Sequence, residues 1–354
     1  MSQTQSIAAK PATAIRPAPK PLQTFPQLRG LWWDGNTLLA SQTYTVVGAD
    51  MSDSAPQWRI VASYRPAWWR NLTASTRLSY RFFGDGFRAL AALETGHLVA
   101  SVPGAIVSLS PGETEFHITQ EIRSGSPPRN IVATPEGKIF WCAHQETSGG
   151  HQCCLYTSAD RGLTWEIAHT FPNGITGIRG LVHDDWGDCL WILADEESPN
   201  CRIFRASLDC RVVETAISGG EARMAACVPT RDAIYFGSYS PCATNHIFRL
   251  RRNGSLIKVA GVDGPCVSAC QVGPSIFFST ISQSNGVGRG AVKVYRSSDG
   301  DNWEEFLMWR KDIWPAAFRS GCAFFPQGQN STDLLVVSTV AVSGCDLHTT
   351  VWRI

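Results

Sequence analysis

Six arginines recur at comparable points of this 354-residue chain: Arg29, Arg88, Arg129, Arg179, Arg223 and Arg319. A guanidinium is a lasting cation with five donors in a planar fork, so the chemistry it offers is two-pronged binding of carboxylate, phosphate or sulfate. Like charges gathered in a partly dry funnel repel one another by kcal/mol-scale amounts, and an anion supplies the compensation. The same residues also read as local strand-start caps, each paired with a neighbouring carboxylate or carbonyl. The polar segments "HQE", "DEES" and "SYS" bring forward Glu146, Asp195, Tyr239 and His144 as proton-transfer groups, with Glu196, Glu197 and Tyr44 beside them. A carboxylate near arginine has a lowered pKa, which suits a nucleophile or base rather than an acid. Taken singly, each of these polar residues reads equally as solvated surface. The insertion "PAWWRNLTASTRLSYRFFGDG" brings Trp68, Trp69, Arg70, Tyr80, Arg81, Phe82 and Phe83 either as a lid over the arginines, its aromatic faces stacking on sugar rings, or as a loop packed onto the neighbouring edge.

What positions the arginines is a repeat. Each opens, or nearly opens, a unit of two apolar runs around a turn, ending in small polar residues: "RGLWWDGNTLLAS" at Arg29, "RALAALETGHLVAS" at Arg88, "RMAACVPTRDAIYFGS" at Arg223. Seven units are found, the sixth beginning at Val267 in place of an arginine, and successive starts lie 41 to 59 residues apart. That is the length of a four-stranded propeller blade. Period-two alternation and frequent turn residues agree, and no long helical stripe opposes them. The expected fold is all-β: a seven-bladed β-propeller of four-stranded antiparallel blades over residues 14–354, with the aromatic insertion at about 66–86 and a mobile tail at 1–13. The last unit supplies three strands, so an N-terminal strand around Ala14 to Phe25 is expected to complete it. Its prolines suit an edge position. In the second blade the strands are expected at Arg88 to Glu94, His97 to Val102, Ala105 to Leu109 and Glu115 to Ile122.

Two stretches sit at the junction of third and fourth strands: "SADRGLTW" from Ser158 and "SSDGDNW" from Ser297. An aspartate in a tight turn accepts from open backbone donors, glycine takes the positive-φ position, and tryptophan covers the turn. Ser158, Asp160, Gly162, Thr164 and Trp165 resemble the Asp-box (BNR) motif of sialidase-like propellers, and Ser297, Asp299 and Trp303 resemble a shortened copy. The resemblance implies a structural turn on the face away from the ligand site. It also implies, by analogy with sialidases, that an arginine cluster takes a sugar carboxylate. Antiparallel strand order places the first-strand starts opposite these turns, so the six arginines are expected around one mouth of the channel.

Basic residues number 31 and acidic residues 30, a formal charge of +1, so no global field draws the chain to nucleic acid or a membrane surface. Twelve cysteines and no export-like N-terminal run fit reduced thiols and a cytoplasmic protein, a monomer or weak homo-oligomer. No cofactor or metal is expected: the nucleotide and hydrolase fingerprints are missing, and His144, Glu146, His151, His183 and His246 show no ligand spacing. The leading expectation is binding of an acidic carbohydrate or other compact anionic small molecule at the arginine mouth. Glycoside hydrolysis or uronate cleavage is the chemistry such a site serves. A protein-interaction scaffold and a small-molecule enzyme using the channel as its reaction chamber are the alternatives.

Overall fold

Seven antiparallel sheets form a ring. The structure, a computed structural model, describes residues 19–123, 127–147, 150–196, 200–240, 244–282, 290–315 and 319–354, with backbone alone for 146, 147, 150 and 151. The expected tail, residues 1–13, lies outside the described residues. Blade one comprises Arg29–Gly35, Thr37–Gln42, Thr45–Asp50 and Arg59–Ser63, and blade two Ala89–Ala92, Leu98–Val102, Ala105–Leu109 and His117–Glu121. Blades three to six begin at Val132–Ala133, Gly177–Asp184, Met224–Pro229 and Cys266–Val272. The second-blade strands fall within the spans expected for them.

The middle strands of each blade are sandwiched between neighbouring blades, so both faces need apolar side chains. Leu98–Val102, Ala233–Ser238 and Leu334–Val340 are buried at every position, whereas the outer strand His117–Glu121 has no buried residue. The small polar residues that end the second strands staple blade to blade. Ser101 Oγ donates to Pro128 O of blade three at 2.8 Å, Ser279 Oγ to Ala323 O of blade seven at 2.7 Å, and Ser338 Oγ accepts Gly30 N–H of blade one at 2.9 Å. A hydroxyl buried between sheets must be paired, and here the pairing fixes the spacing of the inner strands.

Ring closure uses two devices. Gln23–Pro26 pairs antiparallel with His348–Arg353, completing blade seven beside Cys322–Phe324 and Leu334–Val340. Of the segment expected around Ala14 to Phe25, residues 14–18 lie outside the described residues; among those described the strand starts after Pro19 and Pro21, neither of which donates to a ladder. The second device has no sequence forewarning. Gln327–Asn330 leaves blade seven and pairs in parallel with Trp32–Gly35 on the inner edge of blade one, making that blade five-stranded. The last and first blades are thus joined at both the outside and the inside of the ring.

The insertion folds as two short helices, α1 (Trp68–Ala74) and α2 (Arg77–Phe83). Thr76 Oγ1 accepts from Ser79 N–H to cap the start of α2, and Gly84 in the left-handed region (φ 64°) ends it. Buried acids then pin this cap to the propeller. Asp85, 2% exposed, accepts from Tyr44 Oη (2.8 Å), Arg70 Nη1 (3.0 Å) and Thr73 Oγ1 (2.6 Å). On blade seven's side Arg81, 1% exposed, meets Asp312 at 2.5 Å and Asp346 at 3.3 Å, and Arg77 meets Asp346 at 2.8 Å.

Candidate functional site

Strand order puts all six arginines at the same end of their blades. Arg29 opens its strand, Arg179 lies near the start of Gly177–Asp184, and Arg88, Arg129, Arg223 and Arg319 precede theirs by one to three residues. The turns at Ser158 and Ser297 lie at the far ends of the third strands, on the opposite face. In the first, Asp160 Oδ1 accepts from Leu163 N–H (3.1 Å) and Thr164 N–H (2.9 Å), Oδ2 accepts from Thr164 Oγ1 (2.6 Å), and Ser158 Oγ accepts Gly162 N–H (2.8 Å). Trp165 reaches Thr119 of blade two. In the second, Asp299 accepts from Asp301 N–H, Asn302 N–H and the Asn302 amide, and Trp303 donates to Gly300 O. Ser207 and Asp209 build a third such turn in blade four, which lacks both the glycine and the tryptophan that made the other two visible.

Among the described residues the arginines divide by what they meet. Arg179 is internally paired: Nη2 sits 2.6 Å from Asp195 Oδ2, and its guanidinium lies 3.9 Å over the Tyr239 ring. Tyr239 N–H donates to Arg223 O at 2.8 Å, so Asp195, Tyr239, Arg179 and Arg223 form one wall. His144 borders it, with Cε1 3.8 Å from where a Gly177 Cβ would stand.

Arg29, Arg88 and Arg319 meet no carboxylate among the described residues. Arg29 Nη2 donates to Arg88 O at 3.1 Å, its guanidinium lies 5.1 Å over Phe324, and its buried Nε has no partner. Arg88 Nε donates to Gly84 O at 2.9 Å. A Cβ on Gly84 would stand 1.8 Å from Arg88 Nη2 and 2.9 Å from Arg319 Nη2, so both guanidinium groups close on the same point and only glycine fits between them and the cap. Burial, then Arg319 and Arg29, push the Arg88 pKa down to about 9. Burial is also the main cause of the lowered Arg29 pKa, with Arg319 and the exposed Arg129 adding to it. A depressed arginine pKa measures how much the surroundings disfavour the cation, and an anion among the three removes that cost.

Between cap and propeller lies a cavity of about 90 Å³, which Arg29 and Arg319 line from blades one and seven. Tyr80, Thr76 and Arg77 line it from the cap, and Ser41, Thr43, Thr339, Leu28, Val340 and Leu347 from below. Four of its lining residues hold left-handed backbone without being glycine: Gln27 (φ 55°), Thr43 (φ 53°), Leu347 (φ 59°) and Arg319 (φ 81°). Strain of this kind gathers where surrounding structure forces an unusual shape. Tyr80 belongs to the insertion read from the sequence as a lid; Gly84 was not a candidate. The turn signal at "FFGDG" marks Gly84, but nothing local shows that it lies against Arg88 and Arg319.

The remaining sequence candidates fall elsewhere. Trp68 is 75% exposed and Trp69 40% exposed, stacked by Arg70 (4.4 Å) and near Phe83; neither lines the cavity. Tyr44 is held by Asp85, and Glu196 is buried against Arg202. The Glu146 and His151 side chains and Glu197 lie outside the described residues. His183 pairs with Asp185 and His246 packs on Phe248; among the described residues no three potential ligands gather around a point.

No protein-family model matches this chain, and no curated protein matches its sequence. Among solved structures it is similar to a chain of a mitotic checkpoint complex, at 10% identity over 99% of each chain with a TM-score of 0.60. An extracellular domain from B. thetaiotaomicron is similar at 12% identity and a TM-score of 0.56, over 94% of this chain and 40% of that one. The computationally designed Ika8 protein is similar at 10% identity, over 93% and 96% of the chains, with a TM-score of 0.51. At such identities the likeness is one of fold, a β-propeller compatible with ligand binding or with service as an interaction scaffold.

Proposed function

We propose that the protein binds a compact anion, an acidic sugar or another carboxylate, where Arg29, Arg88 and Arg319 converge beneath the cap. The observation that carries this is the contrast within the ring: Arg179 has Asp195, while Arg29, Arg88 and Arg319 meet no carboxylate among the described residues and crowd together, burial and the neighbouring cations lowering the pKa of Arg29 and Arg88. Arg29 Nε is buried without a partner, as are Arg179 Nε and Arg223 Nε. A buried donor without a partner costs about 1–3 kcal/mol, more for a charged group, and a bound oxyanion satisfies it. The hydrogen-bonded turns at Asp160 and Asp299 support the resemblance to Asp-box, sialidase-like propellers, and with it the acidic-sugar reading. Cleavage has no comparable support, since Asp195 is committed to Arg179. All eleven described cysteines are thiols and eight are buried, which favours a reducing, cytoplasmic setting.

Calorimetric titration with galacturonate, phosphate and sulfate tests the reading. Loss of a charge-assisted hydrogen bond is worth about 1.5–3 kcal/mol, so Arg29→Gln weakens binding by about tenfold or more. Equal affinity in wild type and variant refutes it. The scaffold reading draws on a different observation, the exposed Trp68, Leu72, Phe82 and Phe83 of the cap. It gains if Trp68→Ser and Phe82→Ser abolish a protein contact while anion binding is absent.

A further inference from the structure

We infer, on the anion-binding reading above, that the occupant of the cavity is a single short-chain carboxylate taken in whole, and not a segment of an acidic glycan chain. Three features point this way. The first is size: about 90 Å³ holds a small acid but not linked sugar rings. The second is the roof. A polymer crossing the mouth needs the cap displaced, and the cap is tied down at Asp85 on one side and at Asp312 and Asp346 on the other. Breaking such buried pairs leaves charges without partners, so the closed arrangement is the resting one. The third is the wall. Leu28, Ala74, Val340 and Leu347 line the cavity together with Arg29 and Arg319, and Thr43, Thr76 and Tyr80 line it too, so apolar and cationic surface share one small space.

A bare sulfate or phosphate satisfies the guanidinium groups and leaves the apolar wall uncovered. A carboxylate with a short hydrocarbon tail uses both halves, the usual division of labour in a small-molecule pocket. Gln27, Thr43 and Thr76 line the cavity and are exposed, so it opens to solvent on that side.

Calorimetric titration of the full chain with sulfate, acetate, butyrate and a galacturonate tetramer is the test. Each buried methylene is worth about 0.8 kcal/mol, so butyrate binds about tenfold more tightly than acetate, and the tetramer gives no heat of binding. Val340→Thr keeps the side-chain shape but exchanges a methyl of the wall for a hydroxyl; it lowers butyrate affinity several-fold, and more than it lowers acetate affinity. Equal affinity for acetate and butyrate, butyrate binding indifferent to Val340→Thr, or heat of binding from the tetramer overturns the inference while sulfate binding keeps the mouth as an anion site. If sulfate, acetate and butyrate all fail to bind, the anion-binding reading falls and takes this one with it.

Discussion

Arg319→Gly makes the protein more stable and less able to bind, a combination that a merely structural arginine cannot produce. Arg319 holds φ at 81°, where a side chain costs about 1–2 kcal/mol and glycine almost nothing. Glycine's extra freedom in the unfolded chain offsets about 0.4–1 kcal/mol of that gain. The substitution also ends the repulsion that Arg319 exerts on Arg29 and Arg88. Unit charges about 4 Å apart at an effective dielectric of about 20 interact by about 4 kcal/mol. Partial exposure and gathered counterions reduce this to about 1 kcal/mol. The net gain is about 1–2 kcal/mol. With an unfolding entropy of about 2.1 cal/mol/K for each of the 354 residues, that raises Tm by about 1–3 °C. Calorimetric melting in chloride buffer of low ionic strength reads the gain directly. Added sulfate then stabilises wild type further than the variant, because its general salting-out effect is common to both and only wild type keeps the whole site. Arg319→Ala removes the charge but not the strain, and so falls between the two. A variant that melts below wild type in anion-free buffer refutes the reasoning, since Arg319 would then be a staple of the fold rather than a strained ligand group.

Asp85→Ala leaves Arg70 and Tyr44 without their shared acceptor and loosens the cap by about 3–5 kcal/mol; amide exchange over residues 68–83 accelerates while the blades keep their protection, and uniform protection throughout contradicts the anchoring role. The Asp299 carboxyl is held far below the usual range by hydrogen bonds from Asn302 N–H, its amide and Asp301 N–H, and the Asp160 carboxyl is likewise lowered, the hydrogen bonds from Thr164 and Ser158 outweighing burial. A depressed acid stabilises the fold above its unfolded pKa of about 3.9 and ceases to do so as pH falls through the folded value. Denaturation midpoints of the Asp160→Asn, Asp299→Asn protein therefore fall less steeply than wild type below pH 4, and parallel curves remove these turns from the acid response.

Local pattern made the propeller legible. Each blade is a self-contained run of about forty to sixty residues, so the apolar alternation, the turn residues and the arginine at the start of six of the seven units repeat within reach of one another. The serine ending "LVAS" or "FFST" was visible as a recurring residue, but its bond to the next blade was not. The turns at Ser158 and Ser297 declared themselves through glycine and tryptophan, while the one at Ser207 did not, because the same hydrogen bonds form there without either residue.

The rest depended on partners distant along the chain. Gln327–Asn330 pairs with a strand almost three hundred residues earlier, and no local periodicity encodes an encounter of that kind. Arg179 and Arg319 stand at equivalent places in the sequence, yet one meets Asp195 and the other, among the described residues, meets no carboxylate and shares the space at Gly84 with Arg88. Nothing in the insertion announces that Arg77 and Arg81 meet Asp312 and Asp346, more than two hundred residues later in the chain. Repetition along the chain determined that cations gather at one end of the channel. Closure of the ring decided which of them are left without a counter-charge, because the energy of a charge is set by the neighbours that folding brings to it.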